Sequence, residues 1–243
     1  MMQLLINSSL LVLSVVLGGL LVVMLEKRNQ QKLIKLSLAF SGGFLLAIAF
    51  THFLPELYSE NSISIGVWVL IGFLVQLLLE YFSGGIEHGH IHAHANKKIP
   101  YMMLFSLSVH SFIEGMPLAN NHHAGHEHIG GGHQESLLLG IILHQLPVAI
   151  ALMTLFRKSL LTQKTSWILL ILFGLMTPLG LITGYVLEVR ETFAYMDLLL
   201  AIVVGMFLHI STTIIFETNE NHHFNFAKLM AILMGVGLSF LLI

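Results

Sequence analysis

The chain has 243 residues, of which 56% are hydrophobic and only 10% are charged, and its mean hydropathy is +0.84. This composition lies far outside the range of soluble globular domains and predicts an integral membrane protein. The formal net charge is −2 and there is no cysteine, so the sequence lacks the basic surface that nucleic-acid binding requires and offers neither disulfides nor thiolate metal ligands.

Apolar segments of membrane-spanning length recur along the whole chain. A spanning helix needs about 20 apolar residues, and eight segments approach this length: residues 3–25, 34–55, 63–83, 101–119, 136–156, 166–187, 195–216 and 225–243. We expect the first to be a retained span and not a signal peptide, because its first basic residue, Lys27, follows the apolar run. The pattern therefore predicts an all-α polytopic membrane protein, with one transmembrane domain of eight helices over residues 1–243.

Lysine and arginine residues lie almost entirely in or beside the odd-numbered loops. Ten of the eleven do so, and Arg190 is the exception. Cytoplasmic loops collect these residues, so we predict that the odd-numbered loops are cytoplasmic and that both termini are extracytoplasmic. The expected location is the bacterial inner (plasma) membrane, with lipid around the bundle.

Two polar loops contain nine of the fifteen histidines. The loop at residues 84–99, predicted to be cytoplasmic, contains His88, His90, His92 and His94. The loop at residues 120–135, predicted to be extracytoplasmic, contains His122, His123, His126, His128 and His133. Clustered imidazoles bind borderline divalent ions, although a pH sensor and an accidental bias of a polar loop are alternatives. Two separate clusters favour metal binding over accident.

The fourth and fifth apolar segments each contain polar residues at about the same depth. His110 and Glu114 are one helical turn apart and can meet a single ion together, while the fifth segment contains His144, Gln145 and Pro147. A lone histidine in a span is more often a packing residue that is hydrogen-bonded to a neighbouring helix. Ionisable residues within spans are rare unless they line a path or bind something, so the two segments together predict a metal site between these helices.

Two weaker polar pairs occur near the ends of other segments. His52 and Glu56 lie one turn apart at the predicted outer end of the second segment, where they form either an access site or a satisfied helix end. His209 and Glu217, near Glu80, are candidates for an exit site at the predicted inner side.

Several of these segments together resemble the ZIP family of divalent metal transporters. Residues 110–115 (HSFIEG) are similar to its His-Asn-x-x-(Asp/Glu)-Gly signature, and residues 144–147 (HQLP) to the start of its His-Glu-x-Pro-His-Glu signature. Residues 50–56, 176–180 and 205–208 also fit. The resemblance covers nearly the whole chain and implies a ZIP-like bundle that transports a divalent cation, with no prosthetic group. It also implies that the fourth and fifth helices move against a scaffold of other helices.

The chain departs from the family pattern at positions that would hold a second ion. Ser111 stands where asparagine is usual, Gln145 replaces an acid, Val148 and Ala149 replace His or Glu, and Thr177 stands where many bacterial members have a bridging glutamate. The resemblance therefore implies a mononuclear site, whose ligands we list as His110, Glu114 and His144 with neutral oxygens from Gln145 and Ser111.

Zinc uptake into the cytoplasm is the predicted function, and Fe²⁺, Mn²⁺ and Cd²⁺ are alternative ions because residue types alone do not fix selectivity. A metal sensor or a transport-inactive relative is an alternative, motivated by the missing acids. An intramembrane metal-dependent hydrolase is a weaker hypothesis, since the sequence has no His-Glu-x-x-His motif. The predicted partners are the metal ion and lipid, not nucleic acid; a homodimer is one option that the sequence leaves open.

Overall fold

The structure, a computed structural model, describes residues 2–25, 30–60, 65–83, 101–119, 133–159, 161–189, 196–216 and 226–242. These residues form helices and contain no β-strand, which confirms the predicted all-α class. The described α-helices are α1 (Met2–Met24), α2 (Gln30–Ile48), α3 (Leu54–Glu60), α4 (Ile65–Ser83), α5 (Tyr101–Gly115), α6 (His133–Lys158), α7 (Gln163–Gly174), α8 (Met176–Val189), α9 (Met196–Phe216) and α10 (Phe226–Leu242).

Each of the eight predicted apolar segments overlaps a helical segment of the structure. Within the described residues, seven helical segments are long and apolar enough to cross a membrane: Met2–Met24, Gln31–Ser59, Ile65–Ser83, Tyr101–Ala119, Gln134–Lys158, Gln163–Glu188 and Met196–Phe216. The eighth, Phe226–Leu242, is apolar but shorter, with 17 residues. The loop at residues 84–99 and most of the loop at residues 120–135 lie outside the described residues, and α6 already begins at His133.

Prolines explain why three of these segments are not uniform α-helices. Pro55 cannot donate to the carbonyl one turn earlier, and a π-helical turn, Ala49–Phe53, joins α2 to α3 just before it. Pro178 cannot donate to the carbonyl of Gly174, and the chain breaks there into α7 and α8. Pro117 lies in a 3₁₀ turn, Met116–Ala119, that continues α5.

Glycines allow four pairs of helices to approach each other backbone to backbone. A methyl group at Gly72 on α4 would overlap the Ile202 carbonyl on α9, and one at Gly205 on α9 would overlap the Val69 carbonyl on α4. In the same way, a methyl group at Gly43 on α2 would overlap the Ile232 carbonyl on α10, and one at Gly235 on α10 would overlap the Phe40 carbonyl on α2. Small residues are the usual means of close helix packing in a membrane, where apolar surface gains nothing from being turned away from lipid.

A second set of close approaches lies around α5 and α6. Gly115 on α5 faces the Thr177 carbonyl on α8, and Gly180 on α8 faces the Phe112 carbonyl on α5. Gly18 on α1 lies against the Leu146 carbonyl on α6. Together with the contacts of α1 with α7 and α8 and of α2 with α9, these pairs let us name two groups of helices: the α5 group (α1, α5, α6, α7 and α8) and the α4 group (α2, α4, α9 and α10).

The two groups meet through α2 against α6 and through α4 against α5. At the first of these contacts Gly140 on α6 faces the side chains of Ile48 and Leu45, not a backbone. Side-chain contacts can rearrange more readily than backbone packing, because side chains have several rotamers of similar energy.

We expect Gly205→Ala to destabilise the protein and Gly237→Ala to leave its stability unchanged or raise it. Alanine favours a helix over glycine by about 1 kcal/mol, and nothing lies within 4 Å of a methyl group at Gly237. At Gly205 the methyl group would meet the Val69 backbone, and overpacking of this kind costs roughly 1–3 kcal/mol. Thermal unfolding of the detergent-solubilised variants, followed by size-exclusion chromatography, measures the difference. Equal midpoints would mean that close α4–α9 packing does not hold the fold.

Candidate metal site

His110 and Glu114 form the centre of the candidate site on α5. Their positions differ by one helical turn, and His110 Nε2 lies 3.2 Å from Glu114 Oε2. Both residues are buried, with 2% of His110 and none of Glu114 exposed. The structure therefore places an ionisable pair inside the bundle, as the four-residue spacing predicted.

Helix α6 brings Gln145 against the same carboxylate. Gln145 Nε2 donates to Glu114 Oε1 at 3.1 Å and also donates to Thr177 Oγ1 on α8. Gln145 and Thr177 are both buried. The amide thus connects three helices of the α5 group, and it uses both of its N–H donors in doing so.

His144 lies beside His110 across the α5–α6 contact. The centroids of the two imidazole rings are 5.9 Å apart and the rings are nearly perpendicular, with an interplanar angle of 79°. His144 is as deeply buried as its neighbour Gln145. The predicted convergence of the fourth and fifth spans is therefore present for His110, Glu114, His144 and Gln145.

An amide oxygen in this cluster has no hydrogen-bond partner among the described residues. It is Oε1 of Gln145, which is buried together with its side chain. A buried acceptor without a donor costs about 1–3 kcal/mol, and a bound cation would offset that cost. Because oxygen ligands of this type suit divalent cations, the atom is a suitable neutral ligand.

Helix α4 contributes a residue that the sequence analysis missed. Gln76 is fully buried, and its Oε1 lies 2.9 Å from His110 Nδ1. The available signal was a polar pair, Gln76 and Glu80, separated by one turn within an apolar span. Such a pair predicts a polar helix face that turns away from lipid, although it does not identify the partner of Gln76.

The remaining positions in the signatures differ in character. Ser111 is buried on α5 next to His110, whereas Val148 belongs to a hydrophobic cluster with residues such as Leu152 and Phe156. Within the described part of the chain, no group of three or more His, Asp or Glu side chains has the arrangement of a preformed metal site. The cluster therefore contains the predicted ligands in proximity, without all of them pointing at one centre.

The second candidate cluster lies between α4 and α9. His209 Nε2 is 3.4 Å from Glu80 Oε2, and the His209 ring packs edge-on against Phe73 with centroids 4.7 Å apart. His209 is buried, and Glu80 is partly exposed. The predicted proximity of Glu80 to His209 is thus observed, whereas Glu217 lies outside the described residues.

His52 and Glu56 lie on either side of the junction between the π-helical turn and α3, and both are partly buried. The candidate loop ligands lie outside the described residues; they are His88, His90, His92, His94, His122, His123, His126 and His128.

A model of a known family matches the chain over almost its full length. The model, described as ZIP Zinc transporter, matches residues 2–100 and 86–243. The chain belongs to the ZIP zinc transporter family. Its members transport divalent metal ions and are not enzymes, so the hydrolase hypothesis is set aside.

A similar curated protein is the zinc transporter SLC39A7 of Rattus norvegicus. The two sequences are 30% identical over 86 residues, which is 28% of this chain and 18% of that protein. This chain therefore matches less than a fifth of the length of that relative.

Proposed function

We propose that the chain transports Zn²⁺ across the membrane into the cytoplasm through a single-ion site formed by His110, Glu114 and His144. The observation that supports this most strongly is the Glu114 carboxylate, fully buried inside a spanning bundle with His110 and Gln145 against its two oxygens. A carboxylate at such depth is costly unless it has a function that needs negative charge.

Charge favours a loosely held ion at this place. One carboxylate and two neutral imidazoles give a dication one compensating negative charge, so the loaded site keeps a single positive charge. That is much less costly in a low-dielectric interior than a bare dication, and less tightly bound than a site with two or three acids. Transport requires both binding and release, so this intermediate charge suits a carrier.

The neighbours of Glu114 support a site for one ion. A second cation beside Glu114 would need ligands at the positions of Gln145, Val148 and Thr177. The Gln145 amide nitrogen instead donates hydrogen bonds to Glu114 and Thr177, and Val148 is part of an apolar cluster. Glu114 and Thr177 thus accept hydrogen bonds from Gln145 at the place where a second ion would be coordinated.

Ion binding requires the ligands to draw closer together. Zinc bonds to imidazole nitrogen and carboxylate oxygen are about 2.0–2.2 Å long, and among the described residues no group of three or more His, Asp or Glu side chains is arranged around such a centre. We propose that His144 turns towards Glu114 when the ion arrives, with Gln145 Oε1 as a neutral fourth ligand. Histidine binds metal only in its neutral form, so protonation of these rings would promote release.

The two helix groups supply a route for movement. The family resemblance implies that the fourth and fifth helices move against a scaffold, and the boundary between the α5 and α4 groups is consistent with that division. The proposed inward direction is what the family resemblance implies, and the loop charges indicate which side of the membrane is the cytoplasm. His52 with Glu56, and His209 with Glu80 and Glu217, are proposed as access and exit contacts, and the histidines of the two loops as weak collecting ligands.

Replacing a ligand should abolish zinc flux, whereas shortening the outer histidine loop should not. In proteoliposomes, we expect His110→Ala or Glu114→Ala to reduce saturable Zn²⁺ uptake to background, because each removes a ligand that no neighbour can replace. Substitution of His122, His123, His126 and His128 by serine should change the apparent KM only a few-fold, since loop imidazoles act by raising local ion concentration. Equal losses from both changes would contradict the proposed hierarchy, and binding without flux in the unmodified chain would favour a sensor.

Adding acids at the second position should create a second ion site. The double substitution Gln145→Glu and Thr177→Glu places two carboxylates beside Glu114 and removes the amide donors that now occupy it. Equilibrium dialysis followed by elemental analysis should give one bound Zn²⁺ for the unmodified chain and two for the double variant. Two ions in the unmodified chain would contradict a mononuclear site. Ser239→Ala serves as a control, because Ser239 is buried but bonds only to its own helix at Val236.

A further inference from the structure

Gln76 lies where it can control the orientation and the tautomer of the His110 ring. Its side chain is fully buried on α4, and its Oε1 is 2.9 Å from His110 Nδ1. Burying a primary amide in a spanning helix is unfavourable unless it is hydrogen-bonded. The contact with His110 therefore satisfies part of the amide's hydrogen-bonding capacity and also constrains the imidazole.

The contact determines which ring nitrogen has the hydrogen. An amide oxygen can only accept, so His110 Nδ1 must donate and therefore bears the proton. In the neutral ring the lone pair then belongs to Nε2, and this is the atom that lies 3.2 Å from Glu114 Oε2. Gln76 thus directs the metal-binding nitrogen of His110 towards the carboxylate.

Two electron-rich atoms at that separation repel each other unless a proton or a metal cation lies between them. A neutral Nε2 and a Glu114 oxygen can therefore share a metal cation in place of a proton. Ligating histidines elsewhere usually donate their other N–H to an oxygen, which fixes ring orientation and raises ligand basicity. Gln76 Oε1 has the geometry for this role.

We propose that Gln76 is a positioning residue of the transport site, which acts through His110 and not by contact with the ion. The proposal rests on the function proposed above and deepens it in one respect. His110, Glu114 and Gln145 belong to the α5 group, whereas Gln76 belongs to the α4 group. The oxygen that orients His110 is therefore on the opposite side of the boundary, so ion affinity depends on how the two groups are placed.

A nearby hydrogen bond provides a matched control. Ser106 Oγ donates to the Leu79 carbonyl, and it also joins α5 to α4. Ser106 lies one turn before His110 on α5 and has no part in the proposed ligand set. Ser106→Ala removes a hydrogen bond across the same boundary, so it reports what a purely structural link between these helices contributes.

The test compares Gln76→Met, Gln76→Glu and Ser106→Ala in zinc uptake by proteoliposomes. Methionine has nearly the same length as glutamine but no strong acceptor, and loss of such an outer partner weakens metal affinity by about 10–100-fold. We expect Gln76→Met to raise KM for Zn²⁺ by about tenfold or more with a much smaller change in maximal rate. Gln76→Glu keeps an oxygen that accepts from Nδ1 and adds a buried carboxylate, so its KM should not rise above that of the unmodified chain, and the KM of Ser106→Ala should stay close to it.

Cobalt provides an independent readout on the purified protein. The visible absorption of bound Co²⁺ responds to ligand geometry, so Gln76→Met should shift the band while Ser106→Ala and Gln76→Glu leave it unchanged. Should Gln76→Met fail to fold, Gln76→Asn replaces it, because the shorter amide withdraws its oxygen from Nδ1 and is expected to raise KM in the same way.

Two outcomes would overturn the proposal. One is an unchanged KM and Co²⁺ band in Gln76→Met or its replacement, and the other is an equal effect of Ser106→Ala. Glu114→Gln is measured in parallel, since it tests the transport site itself. Normal flux in Glu114→Gln would contradict the proposed function, whereas loss of flux there with normal Gln76→Met would contradict only the role of Gln76.

Discussion

A carboxyl group buried inside the membrane-spanning bundle is the constraint on which the rest of this structure depends. The carboxylate of Glu114 is fully buried, and it has His110 against one oxygen and the Gln145 amide against the other. Removing a carboxylate from water costs several kcal/mol even after the surroundings relax. Neutral hydrogen-bond partners recover only part of that cost. Under the proposed function, a bound cation would offset the remainder.

The helices around the carboxylate combine rigid and adjustable contacts. Backbone-to-backbone packing at Gly115 and Gly180 holds α5 against α8, and the Gln145 amide joins α6 to both. These contacts keep the ligands of one helix group together. Across the boundary, the side chain of Gln76 is hydrogen-bonded to His110, one of the proposed ligands. A carrier needs this combination, because its site must stay assembled while its surroundings change.

Much of this arrangement could be predicted from sequence because membranes impose simple rules on it. Apolar length identifies each span, and the spacing of His110 and Glu114 is correct for one helical face whatever the rest of the fold does. The proximity of His144 and Gln145 needed a comparison of two spans, since it was inferred from polar residues at matching depth and from the family resemblance. Gln76 was missed because an amide in an apolar span does not identify its own partner. Its role depends on the contact of α4 with α5, and no local sequence pattern predicts that contact.

The breaks in the helices could likewise be predicted only in part from the sequence. Pro55 and Pro178 predict a disturbance one turn earlier, but the form of the disturbance is not local. The chain forms a π-helical turn before Pro55 and a clean break between α7 and α8 before Pro178. Neighbouring helices decide between these two forms, because they determine which groups can bond to the carbonyl that each proline leaves without a donor.

X-ray absorption spectroscopy of the zinc-loaded protein tests the central claim most directly, since it reports the ligands and any second metal at once. The account predicts one Zn²⁺ with two imidazole nitrogens and oxygen ligands at about 2.0–2.2 Å, and no metal–metal scattering at the separation of about 3.5–4 Å that is typical of two-metal sites. A metal–metal contribution, or a shell without two imidazoles, would contradict a mononuclear site built from His110, Glu114 and His144.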